Sequence, residues 1–143
     1  MVTSPIPLDL AASRSAWRQV HFATPVNLGT GADAADPDGD GISNADEYIF
    51  GTPPRSANSR AFLSASSSGT GRVLTFTATP TTGTGYAGFT RHYSLEMTTN
   101  LTNPSAWTPV PAYENIIATN QVIVISPAPR TTPTFYRLKA WLQ

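Results

Sequence analysis

The sequence predicts a mainly β fold, an antiparallel β-sandwich of six or seven short strands preceded by a small helical segment. Three observations carry this reading. After Pro54, short apolar or β-branched runs alternate with turn residues, and no helical periodicity remains. Before it, Trp17, Val20 and His21 recur at helical spacing on one face. The length of 143 residues suits one domain with a small appendage. A chain of that size buries about 68–70% of its unfolded surface, enough for a core. The division falls between 1–54 and 55–143.

Residues 1–8 carry Pro5 and Pro7 and read as an extended arm. A helix is expected from about Asp9 to Phe22, capped by Asp9 or Ser13 and stopped ahead of Pro25. Residues 23–35 form a loop rich in Gly, Ala and Asp. A short helix should then run from about Asn44 to Phe50. Ser43 stands where a cap belongs, and Asp46 and Glu47 fall in the first turn, where the helix dipole favours acids. Gly51 occupies the left-handed C-terminal position, and Pro53-Pro54 forbids continuation.

Strands are expected near 60–66, 72–79, 89–98, 106–110, 113–118, 120–126 and 134–142. Leu74, Phe76 and Ala78 share one face of their run, with threonines on the other. Tyr93, Leu95 and Met97 point one way, and His92, Ser94 and Glu96 the other, which leaves His92 exposed. Residues 122–125, Val-Ile-Val-Ile, are apolar on both faces and read as a central strand. Ser66–Gly71 is short enough to be a hairpin loop.

Composition removes several functions. The formal net charge is zero and charged residues are only 13%, against a usual level of about 25%. Such a chain lacks the field that nucleic acid or an anionic membrane surface would recognise. There is no cysteine, hence no disulfide, zinc-thiolate site or thiol catalysis. No apolar run reaches the ~20 residues of a membrane helix. The opening Met1-Val2-Thr3-Ser4-Pro5 lacks the basic start and apolar stretch of a signal peptide. That fits a mature form or a fragment of a longer secreted protein.

The informative stretch is acidic. Six of the nine acidic residues lie between Asp33 and Glu47. With Asp36 as position 1, carboxylates fall at 1, 3, 5 and 12 and glycine at 6. This is the ligand spacing of a calcium loop. Calcium is a hard cation that takes roughly six to eight oxygens. Asp36, Asp38 and Asp40 can converge where the chain wraps the ion, and Gly41 permits the sharp turn. The Ile42 carbonyl can supply one oxygen and Asn44 another, directly or through water. Glu47, carried on the short helix, is long enough to reach back with both oxygens. A solvated acidic turn would explain the density but not the alternation at 36, 38 and 40.

The loop resembles the thrombospondin type 3 calcium repeat, whose pattern is close to Asp-x-Asp-x-Asp-Gly-x-x-Asp/Asn-x-x-Asp/Glu, and residues 36–47 match it throughout. It is less like a paired EF-hand, because position 8 is Ser43 and no second loop exists. Family repeats come in arrays, whereas this chain has one copy. More broadly, the chain is similar to a module found in large secreted or surface proteins of environmental bacteria. The shared features are Trp17-Arg18, Phe22, the acidic loop, Asn44-x-x-Glu47-Tyr48, Gly51 and Pro53. They continue with Tyr93-Ser94-Leu95-Glu96, Leu101, Trp107 and a closing Phe135-Tyr136-Arg137-Leu138. The resemblance implies a non-catalytic C-terminal module, secreted or at the cell surface, whose partner is the parent polypeptide. Millimolar extracellular calcium would fill such a site.

Catalytic groups are scarce. His21 and His92 are the only histidines, and no nucleophile elbow or His-x-x-x-His pair occurs. Glu96 and Glu114 could flank a sugar bond, but no other residue marks a cleft. No enzyme activity is therefore expected. Two further roles are compatible with the pattern. One is a self-assembling surface or filament subunit, in which the proline-bearing arm is donated to a neighbouring subunit. The other is a carbohydrate-binding module for cell-surface glycan, with Tyr86, Trp107, Tyr113 and Trp141 as stacking platforms.

Overall fold

In the computed structural model, which describes residues 8–59, 63–69 and 71–143, two helices precede seven strands. Most of the expected arm, residues 1–7, and residues 60–62 of the strand expected near 60–66 lie outside the described residues.

Helix α1 spans Leu10–Phe22. Asp9 is its cap, accepting the Ala11 and Ala12 N–H groups at 2.9 and 3.0 Å. The buried stripe is Trp17 and Arg18, with Arg14 and His21 half-buried beside them. These positions follow the i, i+3, i+4, i+7 pattern of one helix face. Val20, expected to share that face, is 61% exposed. The expectation failed because Arg18 competes for the interior: its guanidinium reaches the Gly31 carbonyl and Asp33, which turns Val20 outward. Helix α2 spans Asn44–Phe50 with the ends the sequence predicts. The Ser43 hydroxyl accepts from Asp46 N–H, and Gly51 has φ 77°.

The strands form two antiparallel sheets. The first contains β1 (Ser64–Ser68), β2 (Gly71–Ala78) and β6 (Gln121–Ile125), in the order β1-β2-β6. Strands β1 and β2 form a hairpin that reverses within the Ser/Gly stretch, as expected, but Ser66–Ser68 and Gly71 belong to the strands and not to the loop. In the second sheet, β3 (Arg91–Thr98) pairs along its whole length with β7 (Phe135–Leu142). On its other edge β3 pairs with β4 (Thr108–Pro109) and β5 (Ile116–Ile117) end to end. The register shifts by four residues between those two halves. Ala112 and Asn115 absorb the bulge with φ of 68° and 52°.

One buried cluster draws on both sheets: Leu74, Phe76 and Ala78 from β2, Ile125 from β6, Tyr93 and Leu95 from β3, with Ala118. The predicted alternation of β2 therefore holds. The reading of residues 122–125 as a central strand covered on both faces does not. Strand β6 lies at the edge of its sheet, and Val122 and Val124 are 61% and 58% exposed. Their β-branched side chains favour strand backbone without requiring burial on both faces. The strand covered on both faces is β3. Its polar side is screened by side chains of the neighbouring strand β7: His92 stacks on Trp141 at 5.5 Å, and Glu96 accepts from Arg137 at 2.7 Å with Lys139 at 3.6 Å. Arg137 in turn lies 4.3 Å over Trp107. His92, expected to be exposed, is thus buried.

A second cluster joins the helices to the strands. Trp17 packs edge-on against Tyr48, and Tyr48 stacks on Tyr86 at 4.8 Å. The two phenols are satisfied by the Gly85 and Tyr48 carbonyls at 2.7 and 2.8 Å. Arg91, 1% exposed, completes the joint. Its guanidinium donates to the carbonyls of Ile49, Thr79 and Pro80 at 2.6, 2.9 and 2.9 Å and lies over the Tyr86 ring. A Cβ at Gly51 would stand 2.3 Å from Arg91 Nη1, so this glycine serves both the helix end and the arginine.

Replacing Arg91 with Met would leave several buried carbonyls without donors, each costing about 1–3 kcal/mol. The expected loss of stability is about 3 kcal/mol or more, read from a urea titration. A loss below about 1 kcal/mol would show that the joint is not a main support.

Candidate metal centre

The loop after residue 35 is shaped by its own carboxylates. Asp36 Oδ1 accepts the N–H groups of Gly39 and Asp40 at 2.9 and 3.2 Å, and Oδ2 accepts that of Gly41 at 2.8 Å. Asp38 Oδ1 accepts from Asp40 N–H at 3.3 Å, and Asp40 Oδ1 from Ile42 N–H at 2.8 Å. These bonds wind the chain, and Gly39 and Gly41, at φ 72° and 89°, allow the turns. Carboxylate oxygens of Asp36, Asp38 and Asp40 consequently come within 4.8 Å of one another. Together they can hold a metal ion.

The floor comes from α2. The Asn44 side-chain amide donates to the Thr30 and Ala32 carbonyls at 2.8 and 2.7 Å, and its backbone N–H donates to Ala35. Asn44 and Glu47 are each 1% exposed. Asp38 Oδ2, Asn44 Oδ1 and Glu47 Oε2 are buried with no hydrogen-bond partner. A buried polar atom left in this way costs about 1–3 kcal/mol, more when charged. All three are oxygens, the donor type that suits a hard cation, although the carboxylates that come within reach of one another are those of Asp36, Asp38 and Asp40, not Glu47. Ile42 enters the structure through its N–H, and nothing assigns its carbonyl to the cluster.

The electrostatics follow. Burial, then the charges of Asp38 and Asp40, push the Glu47 carboxyl up to about 7, against a weak opposing bond from Thr52. Asp36 is held below its ordinary range, chiefly by the Gly41 N–H. Asp33 is separate from the cluster. Burial raises it, but hydrogen bonds from Arg18 and Arg14 outweigh that and hold it down. Sequence reasoning counted Asp33 among the crowded acids and missed its role. The signal was present in Arg14 and Arg18, one turn apart on the preceding helix. Asp46 is exposed and bonded to Ser43.

The aromatic candidates for sugar stacking are placed differently from one another. Tyr86 is buried beneath Tyr48, Tyr113 packs against the shared core, and Trp107 and Trp141 are half-buried under Arg137 and against His92. The Glu96 carboxylate is neutralised by Arg137 and Lys139. Among the described residues no helix is long and apolar enough to cross a membrane. No protein-family model, curated protein or solved structure matches the chain.

Glu47 gives a pH signature in chelator. Its folded value, about 7, lies above the ordinary 4.5. The stability it contributes is present at pH 4.5 and lost as pH rises through 7. His21, lowered mainly by burial, acts with the opposite sign in an overlapping window, so the parent must be compared with Glu47→Gln. The metal-free variant should be more stable than the parent at pH 8, by about 3 kcal/mol, with the gap closing by pH 5. Equal melting curves at pH 8 would refute the raised value.

Proposed function

We propose that the chain is a non-catalytic extracellular module whose loop binds calcium as a structural ion. The observation that carries this is the Asp36–Asp38–Asp40 cluster, taken with the buried, unpartnered oxygens of Asp38, Asn44 and Glu47 in the same loop and helix. Four carboxylates with the spacing of residues 36–47 suit calcium better than magnesium, which keeps most of its water and tolerates protein cages poorly. In this reading Asp36, Asp38, Asp40, Asn44 and Glu47 supply side-chain oxygens and Ile42 a carbonyl, as in the thrombospondin type 3 repeat that the loop resembles. The two sheets with their shared core form a β-sandwich. Its role is attachment, spacing or sorting of a larger secreted or surface protein. Weak sites of this class fill at extracellular calcium, which supports that setting.

A second reading is favoured by one feature. The edge strand β6 carries exposed Val122 and Val124, and an edge of this kind can accept a strand from a neighbouring subunit. Light scattering decides it: a monomer both with and without calcium excludes self-assembly.

Calcium at a hundred times its Kd should stabilise the fold by about 2.7 kcal/mol, a rise of roughly 5–10 °C in Tm. Asp38→Asn and Glu47→Gln should each remove most of that rise. Asp36 is unsuited to the test, because its carboxylate also holds three backbone N–H groups. A Tm indifferent to both calcium and chelator would refute the calcium reading.

A further inference from the structure

The described cations are almost all engaged. Arg14 and Arg18 hold Asp33, and Arg137 and Lys139 hold Glu96. Arg91 is caged by carbonyls and Arg55 lies over Phe22. Arg72 and Arg130 remain, exposed and with no ion pair, side-chain hydrogen bond or ring contact among the described residues. Both line the same cavity, of about 500 Å³, between the start of β2 and the segment that leads into β7. That volume is in the range of small-molecule sites, roughly 300–1,000 Å³.

The rest of the lining is complementary to an anion. Among the described residues no carboxylate contributes to it. The Thr131 and Thr132 hydroxyls and the half-buried Tyr136 phenol supply neutral donors. Pro127, Pro129 and Pro133 restrict φ along the rim, so less freedom is lost when a ligand binds. A guanidinium presents a planar fork of N–H donors that matches the oxygens of carboxylate, sulfate or phosphate. Two such forks line one cavity in a chain this poor in charge.

We infer that this cavity binds an oxyanion, gripped by the Arg72 and Arg130 guanidiniums. The site is separate from the acidic loop and stands whether or not that loop binds calcium. Titration calorimetry with sodium sulfate and sodium glucuronate tests it, with glucose as the neutral control. At least one anion should bind saturably at one site, and glucose should not. Sulfate binding alone identifies a tetrahedral oxyanion as the natural group, and glucuronate alone a carboxylate, as on an acidic saccharide. Arg72→Ala and Arg130→Ala should each weaken binding at least about tenfold. Arg→Lys at either position should weaken it less, because the charge remains and the fork is lost. Both side chains are exposed, so Tm should not change. Absence of saturable binding by either anion, or binding unchanged in the double alanine variant, would overturn the proposal. The calcium-dependent Tm is a separate readout, so failure here leaves that reading intact.

Discussion

A buried guanidinium with no carboxylate partner joins the two parts of this chain. Arg91 starts β3, and its donors end on carbonyls of α2 and of the segment that leaves β2. Carbonyls near a helix C-terminus lack partners of their own and carry its partial negative charge, so they receive a cation well. Because guanidinium cannot shed its charge in the interior, the surrounding carbonyls must stay in place. Gly51 is fixed by the same demand, since any side chain there would collide with Arg91. The orientation of α2 is therefore set from the strand side, and with it the direction in which Asn44 and Glu47 face the loop.

Charge is distributed unevenly around that joint. The whole chain balances nine acids with nine cations, yet the acidic loop is not neutralised by the arginines nearest to it. Arg14 and Arg18 are both committed to Asp33, and that pair ties α1 to the loop's entrance. Beyond it, Asp36 is steadied by backbone N–H groups, while Glu47 faces the other carboxylates from a desolvated position and resists ionising. Backbone donors can stabilise one carboxylate of such a set. They do less for Glu47, whose buried carboxyl stands against the charges of Asp38 and Asp40, and an oxygen-lined cluster of this kind can hold a metal ion.

Local signals in the sequence were read correctly. The caps at Ser43 and Gly51, the wrap of Asp36, Asp38 and Asp40, and the alternation of β2 each depend on residues within one turn or one strand. The failures share a different cause. Val20 was misplaced because Arg18 finds a partner in Asp33, fifteen positions away. His92 was taken for a solvent-facing residue because its cover, Trp141, arrives from the last strand. An unbroken apolar run such as residues 122–125 suggests a central strand but does not reveal which strand ends up at an edge. An arginine at a strand start, such as Arg91, looks exposed until the helix that needs its donors is in place.

The seven residues of α2 are far too few to be helical alone, because nucleation is not recovered over so short a run. The helix exists because its two ends answer to different forces. Its first turn belongs to the loop, through the Ser43 cap, the Asn44 amide and the Glu47 carboxyl. Its last turn belongs to the core, through Tyr48, Phe50 and the arginine cage. In a chain without disulfides, this is how a cation bound at the surface can influence a β core it does not touch. The helix transmits position from one end to the other.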